Sequence, residues 1–364
     1  MTLPIRPELA GLEPYGAPQL DVPVRLNVNE NPYAPSARVV ADIVGAVAEA
    51  AAGLNRYPDR DFAPLRAGLA AYLARESHVS LAPEQLWAAN GSNEVMLHLL
   101  QAFGGPGRSV VSFAPTYSMY PEYARDTSTA WHVGRRQDDF TVDPEHAAAT
   151  IARYAPSVVL LASPNNPTGT ALPSGTVRAV LDAAAEVPGG CVVVVDEAYA
   201  EFRRAGTPSA LALLGEYPHL AVSRTMSKAF GMAGARLGYL AAARPLVDAL
   251  RVVRLPYHLS AVTQAVALAA LGHAEELMAQ VDGLRRERDA LVEWLRGNGL
   301  RVADSDANFV LFGVFDDRHA IWQGLLDRGV LIRETGPEGW LRASVGTPEE
   351  TAAFRAALVE VAGL

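Results

Sequence analysis

Thr225-Met226-Ser227-Lys228-Ala229-Phe230-Gly231 is the stretch that decides how this 364-residue chain is read. Most lysines only solvate a surface, so the setting of Lys228 carries the meaning. The heptapeptide follows the short apolar run Leu220 to Val222. Two similar runs lie upstream, and each ends in polar residues. Val192 to Val195 is followed by Asp196-Glu197-Ala198-Tyr199, and Val158 to Ala162 by Ser163-Pro164-Asn165-Asn166-Pro167-Thr168-Gly169. Short apolar runs closed by turn residues read as buried strands. Ser109 to Phe113, stopped by Pro115, and Leu237 to Ala241 are two more. Helical spacing between some of them, as in Ser174 to Ala185, predicts an α/β fold with a mostly parallel central sheet flanked by helices.

Outward from this centre, the spacing predicts helices over Ala37 to Ala52 and Pro64 to Leu73, and another after Asn90-Gly91-Ser92-Asn93-Glu94. The first thirty-odd residues carry seven prolines and read as an extended arm, residues 1–35. A large domain is expected over 36–254. Beyond Arg254 come two long helical patterns, Val262 to Leu271 and Ala274 to Arg296. Short apolar runs follow at Asn308 to Phe312 and Val330 to Ile332, then a helix from Pro348. Residues 255–364 are therefore expected to form a smaller α+β domain, joined by the arm.

The polar groups at the ends of the runs suit one cofactor, pyridoxal phosphate. The Lys228 amine can condense with its aldehyde. Asp196 can pair with the pyridine nitrogen and keep it protonated, although a strand-end aspartate also serves as a cap or turn residue. Tyr199 and Asn166 can reach the ring O3′; the plain alternative for Asn166 is a turn. Tyr117, after Ala114-Pro115-Thr116, offers a flat ring for stacking or for packing. The phosphate needs donors. Ser92 and Asn93 stand at a helix start, where free amides favour an anion, or they only cap it. Thr225, Ser227 and Arg236 add hydroxyls and a charged fork. Arg342 lies inside the apolar run Trp340 to Val345, so an anionic partner is expected, either an internal carboxylate or a substrate carboxylate.

Composition sets bounds. Half the residues are apolar, a fifth are charged, and the formal net charge is -9, which disfavours nucleic-acid binding. The single cysteine, Cys191, allows no intrachain disulfide, and the eight histidines show no metal-ligand spacing, so no metal is expected. No signal pattern and no membrane-spanning run are read, so a soluble cytoplasmic protein is expected.

Taken together, the motifs resemble fold-type I, class I/II pyridoxal phosphate aminotransferases, and within them the histidinol-phosphate aminotransferase branch. The resemblance runs nearly end to end. It includes Pro14-Tyr15-Gly16, Leu26-Asn27-Val28-Asn29-Glu30-Asn31-Pro32, Arg56-Tyr57-Pro58, Arg254-Leu255-Pro256-Tyr257-His258-Leu259-Ser260 and Ala307-Asn308-Phe309. One departure is a short segment from Glu334 to Leu341. The resemblance implies a homodimer in which Tyr57 reaches the cofactor phosphate of the partner subunit. It implies that Tyr15, Arg333 and Arg342 receive the substrate phosphate, that Arg342 takes the glutamate carboxylate, and that Glu30 approaches the imidazole. The implied reaction exchanges an amino group between histidinol phosphate and 2-oxoglutarate, giving imidazole acetol phosphate and glutamate, in histidine biosynthesis. An aromatic amino acid aminotransferase on the same scaffold is the nearest alternative. A decarboxylase and a cofactor-binding regulatory module are more distant ones. For Arg333, the plain alternative is a surface ion pair with Glu334 or Asp327.

Overall fold

A computed structural model describes residues 3–364. Along the chain run β1 (Val24–Arg25), α1 (Ala37–Ala51), α2 (Ala63–Glu76), β2 (Leu86–Ala89), α3 (Ser92–Phe103), β3 (Ser109–Ala114), α4 (Tyr120–Asp126) and β4 (Ala130–Arg135). Next come α5 (Pro144–Tyr154), β5 (Val158–Ala162), α6 (Ser174–Ala185), β6 (Val192–Asp196), β7 (Leu220–Thr225), β8 (Gly238–Ala242), α7 (Arg244–Val253) and α8 (Ala261–Gly272). The C-terminal part holds α9 (Ala274–Gly297), β9 (Arg301–Val302), β10 (Phe309–Gly313), α10 (Arg318–Asp327), β11 (Val330–Leu331), β12 (Leu341–Ser344) and α11 (Pro348–Ala362).

Seven strands form the central sheet in the order β2-β8-β7-β6-β5-β3-β4. Neighbours from β7 to β4 pair in parallel, while β8 is antiparallel to both β7 and β2. Strands β5, β7 and β8 are buried along their whole length, as strands covered by helices on both faces must be. The chain steps from β3 outward to β4 and then back across β3 to β5. In such sheets a crevice opens beyond the carboxyl ends of the strands, where the direction of winding reverses. Segments carrying polar groups leave the sheet at this end: Tyr117 after β3, Asn166 after β5, Asp196 at the end of β6, and Thr225 at the end of β7.

The arm returns to the far end of the chain. Val24 pairs with Val330 and Arg25 with Leu331, in parallel. Leu26 is buried in a second core with Leu291, Val310, Phe312, Ile332, Leu341 and Phe354. The larger core holds the sheet and extends into α8 through Ala267, Ala270 and Leu271, and up to Leu277 of α9. Helix α8, which follows Arg254, lies against α1 and α2 and packs on this larger core. Among the described residues no helix is long and apolar enough to cross a membrane.

Candidate active site

A cavity of about 460 Å³ opens at the carboxyl end of the parallel strands. It is lined by Tyr15, Glu30, Ser92, Asn93, Tyr117, Asn166, Asp196, Tyr199, Thr225, Ser227, Lys228, Arg236, Arg333 and Arg342. The fold thus brings together all the expected site residues except Tyr57. That ring lies elsewhere, 79 % exposed and stacked on Tyr257 at 4.4 Å between centroids.

One end of the cavity gathers groups that suit an anion. Helix α3 starts at Ser92, and its N-cap Gly91 has φ +85°, a left-handed conformation that glycine tolerates. Gly91, rather than Ser92 or Asn93, therefore caps the helix, and no side chain caps it. Its first amides have no acceptor within the helix. A Cβ at Gly91 would stand 2.7 Å from the Arg236 guanidinium, and one at Gly238 would stand 2.1 Å from the Ser92 amide. Both positions need the bare backbone for Arg236 and the helix terminus to face one cup. Thr225 Oγ1 and Ser227 Oγ, 3.0 Å apart, add hydroxyls. Among the described residues Arg236 meets no carboxylate, and its Nη1 donates to the Ala233 carbonyl.

At the other end, Asp196 Oδ2 accepts from Tyr120 Oη at 3.0 Å and Oδ1 from the Ala198 amide at 3.2 Å. Burial pushes its carboxyl up to about 6 against those two hydrogen bonds, and the charge of Glu197 adds to the rise. Tyr199 Oη accepts from Asn29 Nδ2 at 3.0 Å. Lys228 Nζ donates to the Val28 carbonyl at 3.0 Å. Burial, then the nearby Arg342 charge, pull the Lys228 amine down to about 8, with Glu30 opposing and Arg236 assisting. The groups present fit pyridoxal phosphate: a helix terminus with hydroxyls and a cation for the phosphate, a buried carboxylate for the ring nitrogen, and an amine of lowered basicity for the aldehyde.

Arg342, on β12, is buried, yet no carboxylate pairs with it among the described residues. Nη1 donates to Asn166 Oδ1 at 2.6 Å and Nη2 to the Asn27 carbonyl at 2.8 Å, while Nε has no partner. Burial pulls it down to about 10, and Arg333 beside it contributes in the same direction. Of the two readings for its anion, the internal carboxylate is therefore ruled out. Arg333 sits opposite Arg342 across an antiparallel bridge and donates to the Gly16 carbonyl at 3.2 Å. The ion pair expected as its plain alternative does not form, because Glu334 is taken by Arg318 and His319, and Asp327 accepts from Gln323. Tyr15 Oη and Ser118 Oγ hydrogen-bond at 2.9 Å, which brings the arm over the mouth.

The family model described as aminotransferase class I and II matches residues 22–358. The chain belongs to this family. It is 61 % identical to histidinol-phosphate aminotransferase 3 of Burkholderia lata, over all of this chain and 96 % of that protein. It is 62 % identical to the histidinol-phosphate aminotransferase of Thermobifida fusca, over 99 % of this chain and 96 % of the other. The solved structure of histidinol-phosphate aminotransferase from Sinorhizobium meliloti in complex with pyridoxal-5'-phosphate superposes with a TM-score of 0.82 at 26 % identity, covering 93 % of this chain and 91 % of that one.

In this aminotransferase three contacts at the site escape a reading of sequence. Asn29 ties Tyr199 to Ser344, whose hydroxyl donates to Asn29 Oδ1, and Asn308 Nδ2 holds the Asn29 carbonyl. Asn166, expected to serve the ring alone, also accepts from Arg342. Tyr120 holds Asp196. The one available signal for Asn29 was the alternation Asn27, Asn29, Asn31 in the arm, a spacing that puts polar groups on one side of an extended chain.

Proposed function

We propose that this aminotransferase moves an amino group reversibly between L-histidinol phosphate and 2-oxoglutarate, giving imidazole acetol phosphate and glutamate, as a step of histidine biosynthesis. The observation that carries it is the pair of adjacent guanidiniums, Arg342 and Arg333, that meet no carboxylate among the described residues. One substrate brings a carboxylate and the other a phosphate with no carboxylate, so a single cavity needs an anion site that serves both. A guanidinium fork matches either group.

Pyridoxal 5′-phosphate is the cofactor, and when bound its ring accepts the electron pair left at the substrate Cα. The chain's own groups do the rest. Ser92, Asn93, Thr225, Ser227 and Arg236 would hold the phosphate, and Asp196, Tyr199, Asn166 and Tyr117 would orient the ring. The Lys228 amine, neutral above about pH 8, would take the proton from Cα. Glu30 would approach the imidazole. Tyr15, hydrogen-bonded across the mouth to Ser118, would cover the substrate and limit water. The proposal includes a cytoplasmic homodimer in which the exposed Tyr57 completes the partner's phosphate site.

A direct test compares kcat/KM for histidinol phosphate and for phenylalanine, with 2-oxoglutarate as acceptor. A desolvated arginine–phosphate pair is worth on the order of 2–5 kcal/mol, so histidinol phosphate should lead by about 30-fold or more. Equal values, or a lead for phenylalanine, would move the reading to an aromatic aminotransferase.

A further inference from the structure

We infer that Tyr120 is a positioning residue for Asp196, fixing the plane of its carboxylate and holding it as an anion for the cofactor's ring nitrogen. The inference rests on the proposed role of Asp196. The geometry comes first. Asp196 stands buried at the end of β6, and among the described residues no lysine, arginine or histidine forms an ion pair with it. Two donors alone hold it, the Tyr120 phenol on Oδ2 and the Ala198 amide on Oδ1. The phenol is the shorter contact and the one that comes from another element. Tyr120 is itself locked in place. It begins α4, its amide donates to the Tyr117 carbonyl at 3.1 Å, and its ring meets that of Tyr117 edge-on at 5.6 Å. One tight turn therefore supplies both the aromatic wall proposed for the ring and the clamp on the carboxylate opposite its nitrogen.

The electrostatics agree. Glu197 follows Asp196 directly, and Tyr117 and Tyr123 on the α4 side and Tyr199 on the β6 side are the other titratable groups around the carboxylate. None of these is a cation; the buried Arg136, whose charge interacts with Tyr120, is bonded to the carbonyls of Phe113, Phe140 and Ala162 and forms no ion pair among the described residues. With its carboxyl already pushed up to about 6 by burial, Asp196 is ionised at neutral pH by a narrow margin, and the two hydrogen bonds provide it. The phenol keeps its proton across this range, because burial and then the charge of Asp196 raise it well above the ordinary tyrosine value. It is thus a donor at every working pH. A residue that only filled the core would need the ring and not the oxygen.

Tyr120→Phe removes that oxygen alone. The full-length, cofactor-free protein, labelled with ¹³C at aspartate carboxyls, can be titrated by NMR, with Asp196→Asn identifying the resonance. A hydrogen bond to a charged group is strong enough that its loss should raise the Asp196 midpoint by about one pH unit or more. 3-Fluorotyrosine at position 120, a stronger donor, should move it the opposite way. In the holoprotein carrying ¹⁵N-labelled pyridoxal phosphate, Tyr120→Phe should shift the ring-nitrogen resonance towards the unprotonated form. An unchanged midpoint in both variants overturns the inference and leaves Tyr120 as core packing. If Tyr120→Phe does not fold, the fluorotyrosine protein decides by the sign of its shift. Failure of the underlying reading looks different: Asp196→Asn itself would then leave the ring-nitrogen resonance and the affinity for pyridoxal phosphate unchanged.

Discussion

Two of the buried arginines of this protein live in opposite surroundings. Arg224, on β7, is 1 % exposed and saturated with anions. Its Nε and Nη2 reach Glu197 Oε2 at 3.0 and 2.9 Å, Nη1 reaches Glu76 at 2.6 Å, and Ser77 and Ser209 take further bonds. Arg342 is 6 % exposed and has two neutral acceptors and an idle Nε. Burying a guanidinium is costly, and the fold offsets that cost completely in one place and leaves it open in the other. A charge balanced from within belongs to the scaffold. A charge left unbalanced beside a cavity is open to a counterion that arrives with a ligand. Lys228, held only by a carbonyl, falls with Arg342.

The contrast can be broken in several ways. Lys228→Ala should lower turnover by at least about 10⁴-fold, since it removes the proposed nucleophile and proton carrier, with the melting temperature of the cofactor-free protein unchanged or raised. A large melting loss without a kinetic one would place Lys228 with the scaffold. Arg224→Ala should do the reverse. It strands buried carboxylates and should cost about 3–5 kcal/mol of stability in denaturant unfolding. Its kinetic constants, measured on the folded fraction, should change little. For Arg342→Ala the loss should appear in kcat/KM for glutamate, on the order of 2–5 kcal/mol of transition-state binding, while thermal stability holds. Stability falling as far as activity would mean that its neutral partners are its real purpose.

Two smaller effects sharpen the picture. Arg333→Ala should lower kcat/KM for histidinol phosphate by roughly 30-fold and for glutamate much less; equal losses would make it structural. The last effect is a pH dependence. Because the Lys228 amine is pulled down to about 8, its neutral fraction rises through that pH. Capture of pyridoxal phosphate by the cofactor-free protein should therefore speed up about tenfold from pH 7 to pH 9. An amine of ordinary basicity would still be rising steeply above pH 9, which stopped-flow absorbance would show.

The phosphate and ring groups lining the cavity were legible in the sequence because, Arg236 before β8 excepted, each ends a strand or follows one within a few residues. Valine runs such as Val192 to Val195 mark a buried strand plainly, and the residue that ends it stands at the crevice. The edge of the sheet was not legible. β4 reads Ala-Trp-His-Val-Gly-Arg, is exposed at Val133, and has neither a clean alternation nor a continuous apolar run. β12 was hidden because two of its four buried positions are filled by Arg342 and Ser344. The packing of helix α8 on α1 and α2 could not be read from its place after Arg254, since sequence order does not say which of two apolar surfaces a helix will cover. The contacts of Tyr120 with Asp196 and of Asn29 with Tyr199 span 76 and 170 residues, and only closure of the chain creates them.

The pairing of Val24 with Val330 has a consequence for the making of the molecule. A growing chain will have completed the whole parallel sheet, with Lys228 in place, while the first strand still waits for its neighbour three hundred residues later. Contacts of such separation carry a large closure entropy and form late. During synthesis the protein thus passes through a stage in which the sheet and Lys228 are made while the strand that carries Arg342, and the neighbour that anchors the arm, are still missing.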